Sequence, residues 1–173
     1  MGFDLARLQL LIVEADPAMT GTWRSLLGGF GIRQPRFAAG SRAAWALLQA
    51  GGDWRPDLLV CRWELPDGDD GLQLVSRLRG DAQSPAPFLP AIIVTATVTR
   101  ERVQQALAAG IHEILVLPLS AKAIETRLRE TIEKPRRFIR QGGYFGPDRR
   151  RTARPGYAGP FRRSTDARPA PGR

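Results

Sequence analysis

Short unbroken apolar runs alternate along this chain with stretches in which apolar residues recur at helical spacing. Leu8–Val13 (LQLLIV) is the first run, and it ends in the polar EADP, which predicts a strand feeding a loop. Asp16 stands where a helix cap belongs, with Pro17 in the first turn, and Met19, Trp23, Leu26 and Leu27 follow at helical spacing until Gly28, Gly29 and Gly31. Arg33–Ala39 predicts a weak strand, at an edge because of Pro35. Ser41 opens a short apolar helix closed by Gly51 and Gly52. Asp57–Cys61 (DLLVC) is continuous and apolar, as a strand covered on both faces should be. Gly71–Gly80 puts Leu72, Val75 and Leu78 on one side of a helix and its arginines on the other. A strand over Pro90–Thr97, a helix over Arg100–Gly110 and a strand over Glu113–Pro118 follow. A fifth helix, capped by Ser120, runs to about Glu133 and stops before Pro135.

Five strands alternating with five helices predict a parallel sheet with helices on both faces. Ligands of such sheets gather where strands end at their carboxyl termini. The exits to interrogate are therefore Glu14–Asp16, Arg62–Glu64, Thr95–Ala96 and Leu117–Pro118.

Composition narrows the classes. The 173 residues suffice for one domain with a real core. No run of eighteen apolar residues occurs, and the N-terminus lacks the basic start of a secretory signal, so the expectation is a soluble cytoplasmic protein. Cys61 is the only cysteine, which excludes a disulfide framework and a cysteine-based zinc site and suits inert packing. Net charge is +9, with −1 over residues 1–133 and +10 over residues 134–173. Rich in Pro, Gly and Arg, that last stretch is expected to be a disordered basic tail. It contains a repeat, GYFGPDRR (Gly143–Arg150) and GYAGPFRR (Gly156–Arg163). Tyr144, Arg149, Arg150, Tyr157, Arg162 and Arg163 are its candidate contact residues, and two copies suggest two equivalent contacts. They suit nucleic-acid phosphates and bases, an acidic groove on a protein, an anionic membrane surface, or a merely solvated linker.

Other features carry less chemistry. Asp67–Gly71 (DGDDG) reads as an acidic turn and helix cap, because a calcium loop would need a glutamate where Leu78 stands. His112, the only histidine, has no companion ligand or nucleophile and is expected at the surface. Trp23, Trp45 and Trp54 are expected to pack, whereas Trp63, at a strand exit, is a candidate exposed contact. No Gly-rich loop follows the first strand, so phosphate cradling of that kind is not expected.

The frames LLIVEADP, PDLLVCRWELPDGDDGLQL, IIVTA and ALAAGIHEILVLPLS, in that order over about residues 8–133, resemble the receiver domain of bacterial response regulators, the phosphate-accepting module of two-component systems. The resemblance implies a flavodoxin-like (βα)5 doubly wound sheet in strand order 2-1-3-4-5. It also implies an acidic pair for Mg²⁺ after strand one, an aspartate phosphoacceptor ending strand three, a Thr or Ser after strand four and a lysine ending strand five. In this sequence the acidic pair falls on Glu14 and Ala15, with Asp16 one residue late. The phosphoacceptor position is Arg62, the lysine position Leu117 and the state-sensing aromatic position Ile114, while Thr95 matches. A receiver without phosphoryl-transfer apparatus is thus expected, with no catalytic residue, cofactor or metal. Arg62 would either bridge Glu14 and Glu64 in place of the metal or reach past the sheet rim to solvent. The expected role is phosphorylation-independent protein–protein interaction, with a histidine kinase or other two-component protein docking on the fourth helix, fifth strand and fifth helix. The alternative is a nucleic-acid-binding regulator acting through the tail.

Overall fold

The computed structural model of the protein describes residues 3–66, 68 and 70–149. Five strands, β1 (Leu10–Val13), β2 (Arg36–Ala38), β3 (Leu58–Arg62), β4 (Ala91–Thr95) and β5 (Glu113–Val116), form one parallel sheet in the order β2-β1-β3-β4-β5. Between and after them run α1 (Pro17–Gly29), α2 (Ser41–Gln49), α3 (Gly71–Gly80), α4 (Arg100–Ala108) and α5 (Ala121–Glu133). The expected (βα)5 order and topology are present. β1 begins two residues later than its apolar run, because Leu5–Arg7 forms a short 3-10 turn capped by Asp4.

Alternation along the strands sorts the core into two layers. Leu10, Ile12, Leu58, Val60, Ile92 and Val94 face α1 and α5, packing with Trp23, Leu27, Ile124 and Leu128. Leu11, Val13, Leu59, Cys61, Ala91 and Ile93 face α2, α3 and α4, packing with Trp45, Val75, Leu78 and Ala106. Each central strand is buried on both faces, which is why its sequence is continuous rather than alternating. Asp16 and Ser120 cap α1 and α5 as expected, and Asp70 of the acidic turn caps α3; Thr99, not singled out from the sequence, caps α4, each accepting a backbone N–H bond. Asp70 adds a reciprocal capping box with Gln73, so the described part of the acidic turn acts as a helix cap. Among the described residues no helix is long and apolar enough to cross a membrane.

The expectation of a disordered tail from Lys134 onward is corrected over its first part. Phe138–Gln141 (β6) and Tyr144–Pro147 (β7) form an antiparallel hairpin. Its two-residue turn is Gly142–Gly143, with φ of 56° and 80°, the left-handed pair that a tight type I′ hairpin demands. The hairpin docks against the amino-terminal end of the sheet. Phe138 and Phe145 pack edge-on against Phe88 and tilted against each other, and Phe138 packs tilted against the His112 ring.

Two further expectations are overturned beside it. Arg79 is not on a solvated helix side but is 5% exposed. Its guanidinium donates to the carbonyls of Gly110 (3.2 Å), Pro87 (2.8 Å) and Leu89 (2.6 Å) and faces the Phe138 ring. Those carbonyls lie in loops with no helix or strand partner, and one planar cation satisfies all three. Burial lowers its pKa to about 10, which leaves it charged at neutral pH. His112 is not at the surface either, at 4% exposed. Its backbone N–H donates to the Ala91 carbonyl at 2.7 Å, and its Nδ1 accepts from the Ala91 N–H at 3.3 Å. That acceptor role requires the neutral ring.

Burial first, then the positive charges of Arg79, Arg149 and Arg136, depress the His112 pKa from 6.5 to about 3. The unfolded chain therefore binds the extra proton over that interval, so the stabilisation is complete above about pH 6.5 and is lost as pH falls toward 3. Between pH 6.5 and roughly 4.5 this residue should remove about 2 kcal/mol of stability. Urea unfolding of the parent and of His112→Gln across that range should show the variant losing less stability than the parent by about that amount.

Candidate functional site

The carboxyl ends of β1, β3, β4 and β5 bring the interrogated residues to one edge of the sheet. Glu14 follows β1 directly; its backbone N–H bonds the Ala38 carbonyl at 2.9 Å, continuing the ladder toward β2. Its side chain is buried, and Oε1 accepts from the Asp16 N–H at 3.0 Å. Asp16 itself is exposed and accepts from the Ala18 N–H at 2.9 Å as cap of α1, so its carboxylate is committed to the helix start. Ala15 between them has no oxygen to offer from its side chain.

Arg62 is the last residue of β3. Its Nη1 lies 3.7 Å from Glu14 Oε2, with the arginine side chain 22% exposed and the glutamate 3%. Of the two placements the sequence left open for Arg62, this is the one beside Glu14, at a separation long for a direct hydrogen bond. Glu14 Oε2 and Arg62 Nε are both buried without any hydrogen-bond partner in the protein. The expected second arm of the bridge, to Glu64, is corrected: that carboxylate pairs with Arg102.

Arg102, in the first turn of α4, is the residue that sequence reasoning missed. Its Nη2 lies 2.5 Å from Glu64 Oε1, its Nη1 donates to Thr95 Oγ1 at 3.0 Å and to the Thr97 carbonyl at 3.3 Å, and its guanidinium covers the Trp63 ring at 4.2 Å. Trp63, expected as an exposed contact, is thereby 5% exposed and belongs to the core. Thr95 is fully buried; its hydroxyl donates to the Thr97 carbonyl at 3.1 Å and accepts from the Thr97 N–H at 3.2 Å as well as from Arg102. The only sequence signal was the helix expected over Arg100–Gly110, which puts position 102 in its first turn, near the strand exits. Nothing in the sequence pairs Arg102 with a glutamate 38 residues away.

Leu117 and Ile114 are half-buried apolar residues, packed against opposite core layers, so the fifth strand's exit brings no cation to the site. Gly71 closes the site from below. A Cβ there would overlap the Arg62 carbonyl oxygen and crowd the Cys61 sulfur, so α3 approaches β3 only because position 71 is glycine. Of the tail residues expected to make outside contacts, Tyr144 and Arg149 are used within the protein. Tyr144 donates its hydroxyl to the Pro147 carbonyl, and Arg149 donates to the Ile111 carbonyl. Arg150, Tyr157, Arg162 and Arg163 lie outside the described residues.

Arg102 touches an aromatic ring, a hydroxyl and a carboxylate at once, whereas Glu64 is more than half exposed. Arg102→Ala should therefore cost about 1–2 kcal/mol in chemical denaturation and expose Trp63 to a fluorescence quencher. Glu64→Ala should cost under about 1 kcal/mol. Equal costs would assign the contribution to the ion pair alone.

The family description "Response regulator receiver domain" matches residues 10–129. The chain is 28% identical over 127 residues to chemotaxis protein CheY-3 of Vibrio cholerae, covering 73% of this chain and 93% of that protein. It is 27% identical to chemotaxis protein CheY of Pseudomonas aeruginosa, covering 73% and 98%. Among solved structures, a response regulator of Chloroflexus aurantiacus superposes with a TM-score of 0.64 at 26% identity, over 73% of this chain and 98% of that one. The receiver domain of a sensor histidine kinase from Pseudomonas aeruginosa, solved with a magnesium ion coordinated in its active-site cleft, shares the fold with a TM-score of 0.60 at 20% identity, over 73% and 98%.

Proposed function

The chain belongs to the response regulator receiver family, and we propose that it is a member working without phosphoryl transfer, as a protein-interaction module of two-component signalling. The observation that carries this reading is the guanidinium of Arg62 at the exit of β3, set against Glu14 where the family places its phosphoacceptor and metal. An arginine offers no oxygen to phosphorylate. Mg²⁺ demands a near-octahedral set of oxygens, and carboxylates bind it best. Here the side chains of Ala15 and Arg62 supply none, Asp16 is turned to its helix, and the buried, unbonded carboxylate oxygen Glu14 Oε2 faces the Arg62 guanidinium. The residues do not fit the ion. No step is routed through it, and the chain is read as a non-enzyme.

Arg62 brings one positive charge where a metal would bring two, and unlike an ion it is tied covalently to the end of β3. Arg102 holds the Thr95 hydroxyl and Glu64 in one arrangement, which in an active receiver would be free to meet a phosphoryl group. Both features support a receiver set in a single state, whose occupancy of its partners depends on its amount rather than on modification. A histidine kinase or another two-component protein is the partner class. Val98, 46% exposed before α4, and Val116, 48% exposed on the edge strand β5, supply apolar area on the α4–β5–α5 face for such a contact. The nucleic-acid reading of the tail loses two of its six residues, since Tyr144 and Arg149 are bonded within the hairpin region.

Incubation with acetyl phosphate and Mg²⁺, followed by intact-mass measurement, should show no phosphoryl adduct, and Mg²⁺ alone should leave tryptophan fluorescence unchanged. An Mg²⁺-dependent gain of one phosphoryl group, abolished by chelation, would reject the reading.

A further inference from the structure

The first copy of the tail repeat makes an intramolecular contact that accounts for four of its residue types. The Tyr144 hydroxyl turns back to the Pro147 carbonyl at 3.0 Å. A Cβ on Gly146 would stand 2.5 Å from that hydroxyl and 2.9 Å from the Gly110 Cα, so β7 reaches the domain only through a glycine. Gly110 is the counterpart: a Cβ there would stand 3.0 Å from the Phe145 carbonyl oxygen and 3.2 Å from Arg79 Cγ. Pro147 is buried, and Arg149 reaches over to the Ile111 carbonyl. Tyr, Gly, Pro and Arg thus each have a defined place in a cradle made by Arg79, Gly110, Ile111 and β6.

Those four types recur as Tyr157, Gly159, Pro160 and Arg162. The residues that differ are Phe145, replaced by Ala158, and Asp148, replaced by Phe161. The Asp148 backbone N–H bonds the Arg137 carbonyl at 2.7 Å, a bond that phenylalanine can also make. β6 has no second copy, because Arg151–Arg154 stand where its Phe138–Gln141 would be repeated. What is duplicated is the docking strand and not the hairpin.

We propose that the cradle is a recognition site for the Gly-Tyr-x-Gly-Pro-x-Arg-Arg peptide, and that Gly156–Arg163 of the same chain is its second ligand, taking the place of β7 while β6 stays seated. The connection from β6 then spans residues 142–156 instead of a two-residue turn, at a cost in loop entropy that grows only slowly with length. Ala158 also forgoes the ring contacts that Phe145 makes with Phe88 and Phe138. The first copy therefore occupies the cradle by preference, and the second fills it when the first is withdrawn. Tethering keeps the second copy at high effective concentration. The exchange shifts the attachment point of the tail by thirteen residues and frees Arg149 from the Ile111 carbonyl, so the site selects which arginine it holds.

The test uses the full chain and its single histidine, which the hairpin covers. Diethyl pyrocarbonate modification of His112 would be followed in the parent, Gly146→Val, Gly159→Val and the double variant. Gly159→Val should match the parent, and Gly146→Val should stay within about threefold of it. The double variant, with neither copy able to dock, should react about tenfold faster or more. A Gly146→Val protein reacting as fast as the double variant would overturn the proposal. Should valine prevent folding, Arg149→Ala against Arg149→Ala/Arg162→Ala makes the same comparison on an unaltered backbone. Protection of Gly146→Val that falls on dilution from roughly 100 to 1 µM would instead assign the occupant to a second molecule and overturn the intrachain form.

Discussion

Every other feature of this protein depends on covering a five-stranded parallel sheet on both faces. Parallel strands bond only sideways, so each of the three central strands must be apolar on both sides and must run between helices. That constraint sends all carboxyl ends to one edge and all amino ends to the other. Polar chemistry is then confined to two rims, and both rims here are organised by buried or half-buried arginines.

At the carboxyl rim, Arg62 and Arg102 divide the acidic residues between them. Arg62 sits near Glu14 from the end of β3, while Arg102 reaches from α4 to Glu64, Thr95 and Trp63. Two guanidiniums therefore tie β1, β3, β4 and α4 together at the place where the family carries out its chemistry. Burying an arginine is costly unless its donors are used, and here Arg102 has both terminal nitrogens bonded while Arg62 retains an unbonded Nε and faces an unbonded carboxylate oxygen.

At the amino rim, Arg79 gathers three loop carbonyls and presents its face to Phe138. The hairpin completes this end. It shields His112, whose ring nitrogen accepts a backbone bond and so must stay neutral. The same rim provides the glycine-to-glycine approach between Gly110 and Gly146 that makes the docking strand specific in sequence. Charge at one end and backbone shape at the other are thus handled by separate devices, joined only through the sheet.

The sequence by itself determined the local elements and their order, because apolar periodicity, caps and glycine stops act within a few residues. Asp16, the acidic turn that ends at Asp70, and Ser120 could be read as caps without any knowledge of the fold. It also marked Arg62 as foreign to its strand exit. The hairpin was legible in principle from Gly142–Gly143 between aromatic residues, but the surrounding arginines and prolines masked it as tail. Only the tertiary structure decided which charges meet. Arg79 looked like a solvated helix residue, His112 like a surface histidine and Trp63 like an exposed contact. Each is buried by partners distant in the chain: loop carbonyls up to 31 residues away, a rim hairpin, and an arginine from α4. Periodicity reports how a residue faces its own element, whereas burial depends on what the fold later lays over it.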